Sequence, residues 1–226
     1  MKRIFFVSLI AVSFLSAQQF ETDSTIVFAN PNKDIVTPSK TEMNHAWGVD
    51  ILLSNNGFGL AGFYRYKYDR DLFGNITLGI ADSKDNNEVE YIDYFGQSYV
   101  PGKINRFLIL PLMVGVQYRL FADDITDSFR PYVNAGIGPT LILSAPYDRE
   151  WFSSWKYAQA HYTAGGFIGL GAFFGSDMGS LAGVNIRYYF LPYSGGVESL
   201  RDAAGVIRKK TDFGGFFITI NLGSAF

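Results

Sequence analysis

Residues 214–226 of the chain read GGFFITINLGSAF. The residues on one face are Phe216, Ile218, Ile220, Leu222, Ser224 and Phe226. The opposite face contains the polar residues Thr219 and Asn221. A period of two predicts a β-strand with one apolar side. The stretch ends on an aromatic residue with no polar tail, which favours a closed β-barrel, because the last strand of a barrel must pair with the first to leave no free edge.

The amino end predicts export from the cytoplasm. Met1-Lys2-Arg3 is basic, residues 4–15 form an almost unbroken apolar run, and Ser16-Ala17 follow. This pattern is typical of a secretory signal peptide. The apolar run is too short to cross a membrane as a helix, which needs about 20 residues. The predicted domains are a signal peptide (1–17), a periplasmic N-terminal segment (18–45) and one β-barrel (46–226).

The composition excludes several classes of protein. The chain contains no Cys, so it has neither a disulfide framework nor a thiolate metal site. Removing Lys2 and Arg3 from the 19 basic residues leaves 17 against 21 acidic ones. A mildly acidic chain is a poor candidate for binding nucleic acid, which requires a basic surface. His45 has no metal-binding partner near it in the sequence, so we expect no metal site there. We also expect no cofactor.

Alternation of apolar and polar residues continues along the chain and predicts eight strands. They lie at about 46–53, 58–68, 72–81, 106–120, 131–143, 161–174, 181–190 and 214–226. The connections after strands two, four and six are short, whereas those after three, five and seven are long; only the short one after strand one departs from this order. Short turns at one end and long loops at the other are typical of outer-membrane barrels. The predicted fold is therefore all-β, an eight-stranded antiparallel up-and-down transmembrane β-barrel.

Polar residues of the predicted strands fall on the less apolar face. The predicted interior polar residues are Asp50, Arg65, Lys67, Asn75, Gln117, Arg119, Asn134 and Arg187. A basic residue facing lipid at the middle of the membrane costs about 2–4 kcal/mol, whereas an interior one can pair with other polar groups. An eight-stranded barrel is just wide enough for side chains to fill it. The pattern therefore predicts a packed polar interior rather than a solute channel.

Three segments resemble a known family. They are LILPL (108–112), PYVNAGIG (131–138) and NIRYY (185–189). They are similar to the small outer-membrane β-barrel family (OmpA/OmpX-like) common in Bacteroidetes-type bacteria, and the resemblance covers residues 46–226. It implies the fold and a bacterial outer-membrane location. Because members of that family have varied or unknown roles, the resemblance implies no activity.

The last strand also resembles the insertion signal of bacterial outer-membrane barrels, which alternates apolar residues and ends in an aromatic one. The residues of this signal would be Phe216, Ile218, Ile220, Leu222 and Phe226. The resemblance implies outer-membrane lipid and the barrel-assembly machinery as partners. Lipopolysaccharide is a further expected partner, whose phosphates the basic residues of the third long loop could contact, although a solvated run of charges is the commoner explanation; these residues are Arg201, Arg208, Lys209 and Lys210.

The predicted long loops are rich in aromatic residues. The candidate binding residues are Trp151, Phe152, Trp155 and Tyr157, and the first long loop adds Tyr91, Tyr94, Phe95 and Tyr99. Exposed aromatic residues at this density mark partner sites in many proteins. We therefore predict a structural or surface-interaction (adhesion-like) role through the extracellular loops, with an extracellular ligand as a partner.

Two alternatives stay open. His161 and Thr163 share one face of a strand, and outer-membrane lipid A deacylases are similar in using a His and a Ser so spaced. This chain has Thr instead of Ser and no evident carboxylate on the neighbouring strands, so we predict no catalytic residue and no enzyme. The other alternative is a soluble periplasmic lipocalin-like binder, which would have similar strands but no contact with lipid.

Overall fold

A computed structural model describes residues 44–54, 57–125, 129–174 and 179–226. In chain order the strands are β1 (His45–Ser54), β2 (Gly57–Lys67), β3 (Leu72–Asp82), β4 (Tyr91–Ile92), β5 (Ser98–Tyr99), β6 (Asn105–Arg119), β7 (Phe129–Pro146), β8 (Gln159–Phe174), β9 (Ser180–Phe190), β10 (Pro192–Arg201), β11 (Ile207–Asp212) and β12 (Gly215–Ala225). A short helix, α1 (Trp151–Ser154), precedes a turn of 3-10 helix (Trp155–Tyr157). The predicted signal peptide (1–17) and nearly all of the predicted segment 18–45 lie outside the described residues.

Eight strands form a closed antiparallel barrel in the order β1-β12-β9-β8-β7-β6-β3-β2. The last strand pairs with the first from Ala46↔Ala225 to Leu53↔Ile218. Beyond that ladder, the backbone N–H of His45 donates to the carbonyl of Phe226 at 3.0 Å, and the N–H of Phe226 donates back at 2.8 Å. The closure that the last strand predicted is therefore present, and the eight-stranded up-and-down fold is confirmed.

The two ends of the barrel differ, and we call them the turn end and the loop end. The turn end contains the start of β1, the end of β12, the connection 68–71 and the facing ends of β6 and β7 and of β8 and β9. The loop end contains the paired residues Ser54 and Gly57 of β1 and β2 and three long loops, 83–104, 147–158 and 191–214. Strand β7 extends three residues beyond its predicted end, and the third long loop contains the β10-β11 hairpin, which was not predicted. In both places the backbone pairing between strands continues past the point where the alternation of apolar and polar residues stops.

Side chains alternate between the outside and the inside of the barrel. The outward row of β3, for example, contains the exposed residues Ile76, Leu78 and Ile80, whereas Asn75 and Thr77, which alternate with them, are buried. The interior has an apolar cluster toward the loop end, which includes Phe107, Ile109, Met113, Ile142 and Phe213, and a smaller one toward the turn end, which includes Phe63, Tyr132, Phe173 and Leu181. Within the described ranges, no helix is long and apolar enough to cross a membrane.

Candidate functional site

All eight of the predicted interior polar residues point into the barrel. Asp50, Arg65, Asn75, Gln117, Asn134 and Arg187 are buried. Lys67 and Arg119 are half-buried, because they lie at the turn end, where β2 and β6 finish. The alternation of each strand alone was sufficient to place these side chains, since a strand in a barrel has only two faces.

A buried ion pair lies inside the barrel. Arg187 Nη1 lies 2.8 Å from Asp50 Oδ2, and both side chains are almost completely shielded from solvent. The second oxygen of the carboxylate, Oδ1, accepts a hydrogen bond from Asn221 Nδ2 at 2.5 Å. Both oxygens of Asp50 are therefore engaged by donors from two other strands, which holds β1, β9 and β12 together from the inside.

The ion pair continues into a polar network whose members were not among the predicted interior residues. The hydroxyl of Tyr132 donates to Asn221 Oδ1 at 3.2 Å and accepts from Asn185 Nδ2 at 3.1 Å. Tyr132 and Asn221 come from strands on different parts of the barrel wall, β7 and β12. Both residues alternate along their strands with outward-facing apolar residues. This alternation predicts that their side chains are buried, but it does not predict which residues they contact.

The His161 side chain has a different hydroxyl partner from the one that the sequence suggested. Thr163 Oγ1 donates to the backbone carbonyl of Pro192 instead of to the histidine. His161 Nε2 lies 3.0 Å from Oγ of Ser144 on the neighbouring strand β7, and the imidazole packs beside the ring of Tyr193 at 5.3 Å between centroids. Within the described contacts, no carboxylate orients this histidine, as a catalytic triad would require.

The three long loops are joined by backbone hydrogen bonds, and we call residues 83–104, 147–158 and 191–214 the loop cap. Ile104 is the junction, because its N–H donates to Ser199 O at 2.8 Å and its carbonyl accepts from the N–H of Tyr147 at 2.8 Å. The N–H of Arg201 also donates to Gly102 O at 2.7 Å. Gly102 has a φ of 70°, and a Cβ there would meet Arg201 O at 2.1 Å, so this approach of two loops requires glycine.

Charged side chains reinforce the loop cap from within. Lys103 Nζ and Glu88 Oε2 form a nearly buried ion pair at 2.5 Å. The ring of Tyr147 lies under the charged groups of Lys103 and Arg106, at 5.4 Å and 4.6 Å. Lys210 Nζ donates to the carbonyl of Lys84 at 2.7 Å, and burial lowers the pKa of Lys210 below its ordinary value. The loop cap is therefore a packed structure with its own polar contacts.

The predicted loop binding residues lie together on α1 and the turn after it. The ring of Trp151 contacts the rings of Phe152 and Trp155, at 5.0 Å and 5.7 Å between centroids. Tyr157 lies under the guanidinium of Arg149 at 4.0 Å. Trp151, Phe152 and Tyr157 are exposed, whereas Trp155 is half-buried and supports the others.

A second exposed aromatic pair lies at the tip of the β4-β5 hairpin. Tyr94 and Phe95 are 97% and 84% exposed, and their rings meet edge to face at 5.7 Å. The turn beneath them is held by Asp93 Oδ1, which accepts from the backbone N–H groups of Phe95 and Gln97, both at 2.8 Å. The sequence predicted that this loop is rich in aromatic residues, but it did not predict the turn that Asp93 stabilises beneath them.

The predicted insertion-signal residues point out of the barrel. Phe216, Ile218, Leu222 and Phe226 are exposed, and Ile220 is half-buried in the same outward row. The ring of Phe226 stacks on His45 at 5.5 Å, and His45 Nδ1 lies 2.6 Å from the hydroxyl of Tyr64. The aromatic end of the chain therefore lies against the seam between the first and last strands.

Metal-binding side chains do not converge in the described part of the chain, since no three His, Cys, Asp or Glu residues there could hold an ion together.

No protein-family model matches the chain, and no curated protein matches its sequence. Its fold is similar to the N-terminal β-barrel domain of OprF from Pseudomonas aeruginosa, at 12% identity over 81% of this chain and 98% of that domain, with a TM-score of 0.45. It is similar to the outer membrane protein OprG from the same organism, at 13% identity over 80% and 94%, with a TM-score of 0.46. It is also similar to Ail, the attachment invasion locus protein of Yersinia pestis, at 13% identity over 80% and 95%, with a TM-score of 0.41.

Proposed function

We propose that this chain is a β-barrel protein of the bacterial outer membrane and that it acts through its loop cap as a surface-interaction, adhesion-like protein. The outward rows of the barrel support the location. They expose apolar side chains on every strand, whereas soluble proteins rarely expose a continuous apolar patch larger than a few hundred Å². Trp47, Tyr66 and Tyr118 are exposed near the turn end, where the aromatic girdle of a membrane barrel would lie.

Fractionation of cells that express the chain tests the proposed location. We expect the protein in the outer-membrane fraction, where the unboiled band should migrate differently from the boiled one, because a closed barrel resists detergent until it is heated. A protein that is soluble, folds without detergent and shows coincident bands would contradict the proposal and favour the lipocalin-like alternative.

The loop cap supports the proposed role. Its exposed aromatic residues sit on a packed base, so binding would not have to order them first, and preorganisation of this kind lowers the entropic cost of association. Large aromatic side chains also dominate the binding energy of many protein interfaces. The loop cap is therefore the surface that we expect to meet outer-membrane lipopolysaccharide at its edge and an extracellular ligand at its top.

Replacing loop aromatics should weaken binding without affecting the barrel. We expect Trp151→Ser with Phe152→Ser to reduce attachment of expressing cells to extracellular matrix at least tenfold, since loss of one interface hot spot costs about 2 kcal/mol or more. Tyr68→Ser is the control, because Tyr68 is at least as exposed as Trp151 and Phe152 but lies at the turn end. Attachment that stays at the level of the control, with heat-dependent migration intact, would contradict a role for this surface.

One observation favours a second candidate function, a lipid-modifying enzyme. Ser144 and His161 are within hydrogen-bond distance, as a nucleophile and its base would be. Ser144, however, is almost completely buried, beneath the loop end. Unchanged masses of lipid A in cells that express the chain and its His161→Ala variant would exclude lipid A as a substrate.

A further inference from the structure

The side chain of Arg65 is buried in the barrel beside two aromatic rings. It lies on β2, is 6% exposed, and its guanidinium packs over the rings of Phe173 and Phe63 at 4.5 Å and 5.2 Å. In the described part of the chain, its Nε has no hydrogen-bond partner. A guanidinium has five N–H donors and stays charged under all ordinary conditions. The aromatic rings alone can neither accept hydrogen bonds from all of these donors nor neutralise the charge.

The protein's own carboxylate in this region is already engaged. Asp50 attracts Arg65 electrostatically, but its Oδ2 lies 2.8 Å from Arg187 and its Oδ1 accepts from Asn221. Arg187 and Arg130 both repel Arg65. The polar layer around Asp50 therefore contains two buried guanidinium groups for one buried carboxylate, and its net charge is positive.

A buried charge normally has a partner, because removing it from water without one is costly. Two aromatic rings pack against the Arg65 guanidinium, so the place left for a partner is its edge, where the N–H groups point. The interior of an eight-stranded barrel has little room beyond its own side chains, which restricts the partner to a small ion. The same interior contains further buried donors without a partner in the described residues, among them Nδ2 of Asn134.

We propose that the guanidinium of Arg65 binds a small inorganic anion of about the size of chloride inside the barrel. The anion accepts hydrogen bonds from the edge of the guanidinium and neutralises the excess positive charge of the layer. This site is distinct from the loop cap, since Arg65 lies toward the turn end of β2. It stabilises the folded barrel whether or not the loop cap binds a partner.

Unfolding by urea in solutions of equal ionic strength tests the site, with sodium bromide or chloride compared against sodium gluconate, whose anion is too large to enter. Wild-type protein should become steadily more stable as halide rises above its dissociation constant, with the folding equilibrium constant increasing about 100-fold when halide reaches a hundred times that constant. Arg65→Met should remove this dependence. In gluconate it should be at least as stable as the wild type, because it lacks the unpaired charge.

Arg70→Gln is the matched control, since it also removes one positive charge but from an exposed pair with Asp123. It should keep the halide dependence of the wild type. If Arg65→Met does not fold, crystals of the wild type soaked in bromide should show an anomalous peak within hydrogen-bond distance of the Arg65 guanidinium. The proposal fails if wild-type stability is independent of halide or if Arg65→Met retains the dependence. It also fails if the crystals show only water or the carboxylate of Asp71 in contact with the Arg65 guanidinium. Asp71 is named because its Oδ1 is buried without a partner in the described residues.

Discussion

Replacing Asp50 with alanine is expected to lower the free energy of unfolding of the barrel by about 3–5 kcal/mol, the usual cost of removing one partner of a buried ion pair. The variant would leave Arg187 buried without its carboxylate, and Arg65 would lose the negative charge that attracts it. Asn221 would also lose the acceptor of its amide. Urea titration of the protein folded in phospholipid vesicles, followed by tryptophan fluorescence and by heat-dependent migration, measures this loss.

The control for that variant is the exposed ion pair at the turn end. Arg70 Nη2 lies 2.5 Å from Asp123 Oδ1, a shorter contact than the interior pair, yet both side chains are mostly exposed. Asp123→Ala should therefore cost about 0–1 kcal/mol, because solvent screens exposed charges. Replacing Asp50 by Leu together with Arg187 by Met should recover most of the loss, since apolar residues of similar volume often substitute for a buried pair. Equal losses for Asp50→Ala and Asp123→Ala would show that the interior is hydrated.

The inside and the outside of the barrel could be predicted from the sequence, because a strand has only two faces and its residues alternate between them. Asp50 and Arg187 were placed inside on that basis. Their pairing could not be predicted, since they are 137 residues apart and meet only because the closed sheet places β1 and β9 on either side of β12. Alternation gives the face of a side chain but not its height along the barrel or its neighbour across the interior.

The loop cap shows a second limit of local sequence. Lys210 follows Arg208 and Lys209 in a run of charges, which normally indicates a solvated surface. The structure buries Lys210 against the carbonyl of Lys84, and this partner belongs to a loop more than a hundred residues earlier. The loops were correctly expected to be long, but their packing depends on contacts such as Ile104 with Ser199, which have no local signature.

Replacing Leu78 with arginine is expected to cost about 2–4 kcal/mol when the protein is folded in lipid, because an arginine that faces the middle of the bilayer is destabilising by that amount. Leu78 lies near the centre of β3, pairs with Gly62 and Leu112 on the two neighbouring strands, and is 58% exposed. The same urea titration in vesicles gives the change in the free energy of unfolding.

Val89→Arg is the matched control for Leu78→Arg. Val89 is also 58% exposed, but it lies in the loop cap, outside the region where the bilayer would surround the barrel. A substitution at such a surface position usually changes the free energy of unfolding by no more than about 0.5 kcal/mol. If the barrel were a soluble protein, both residues would face water and both variants would have similarly small effects. A large difference between two equally exposed positions can arise only when their surroundings differ, so this comparison tests contact with lipid independently of any binding partner.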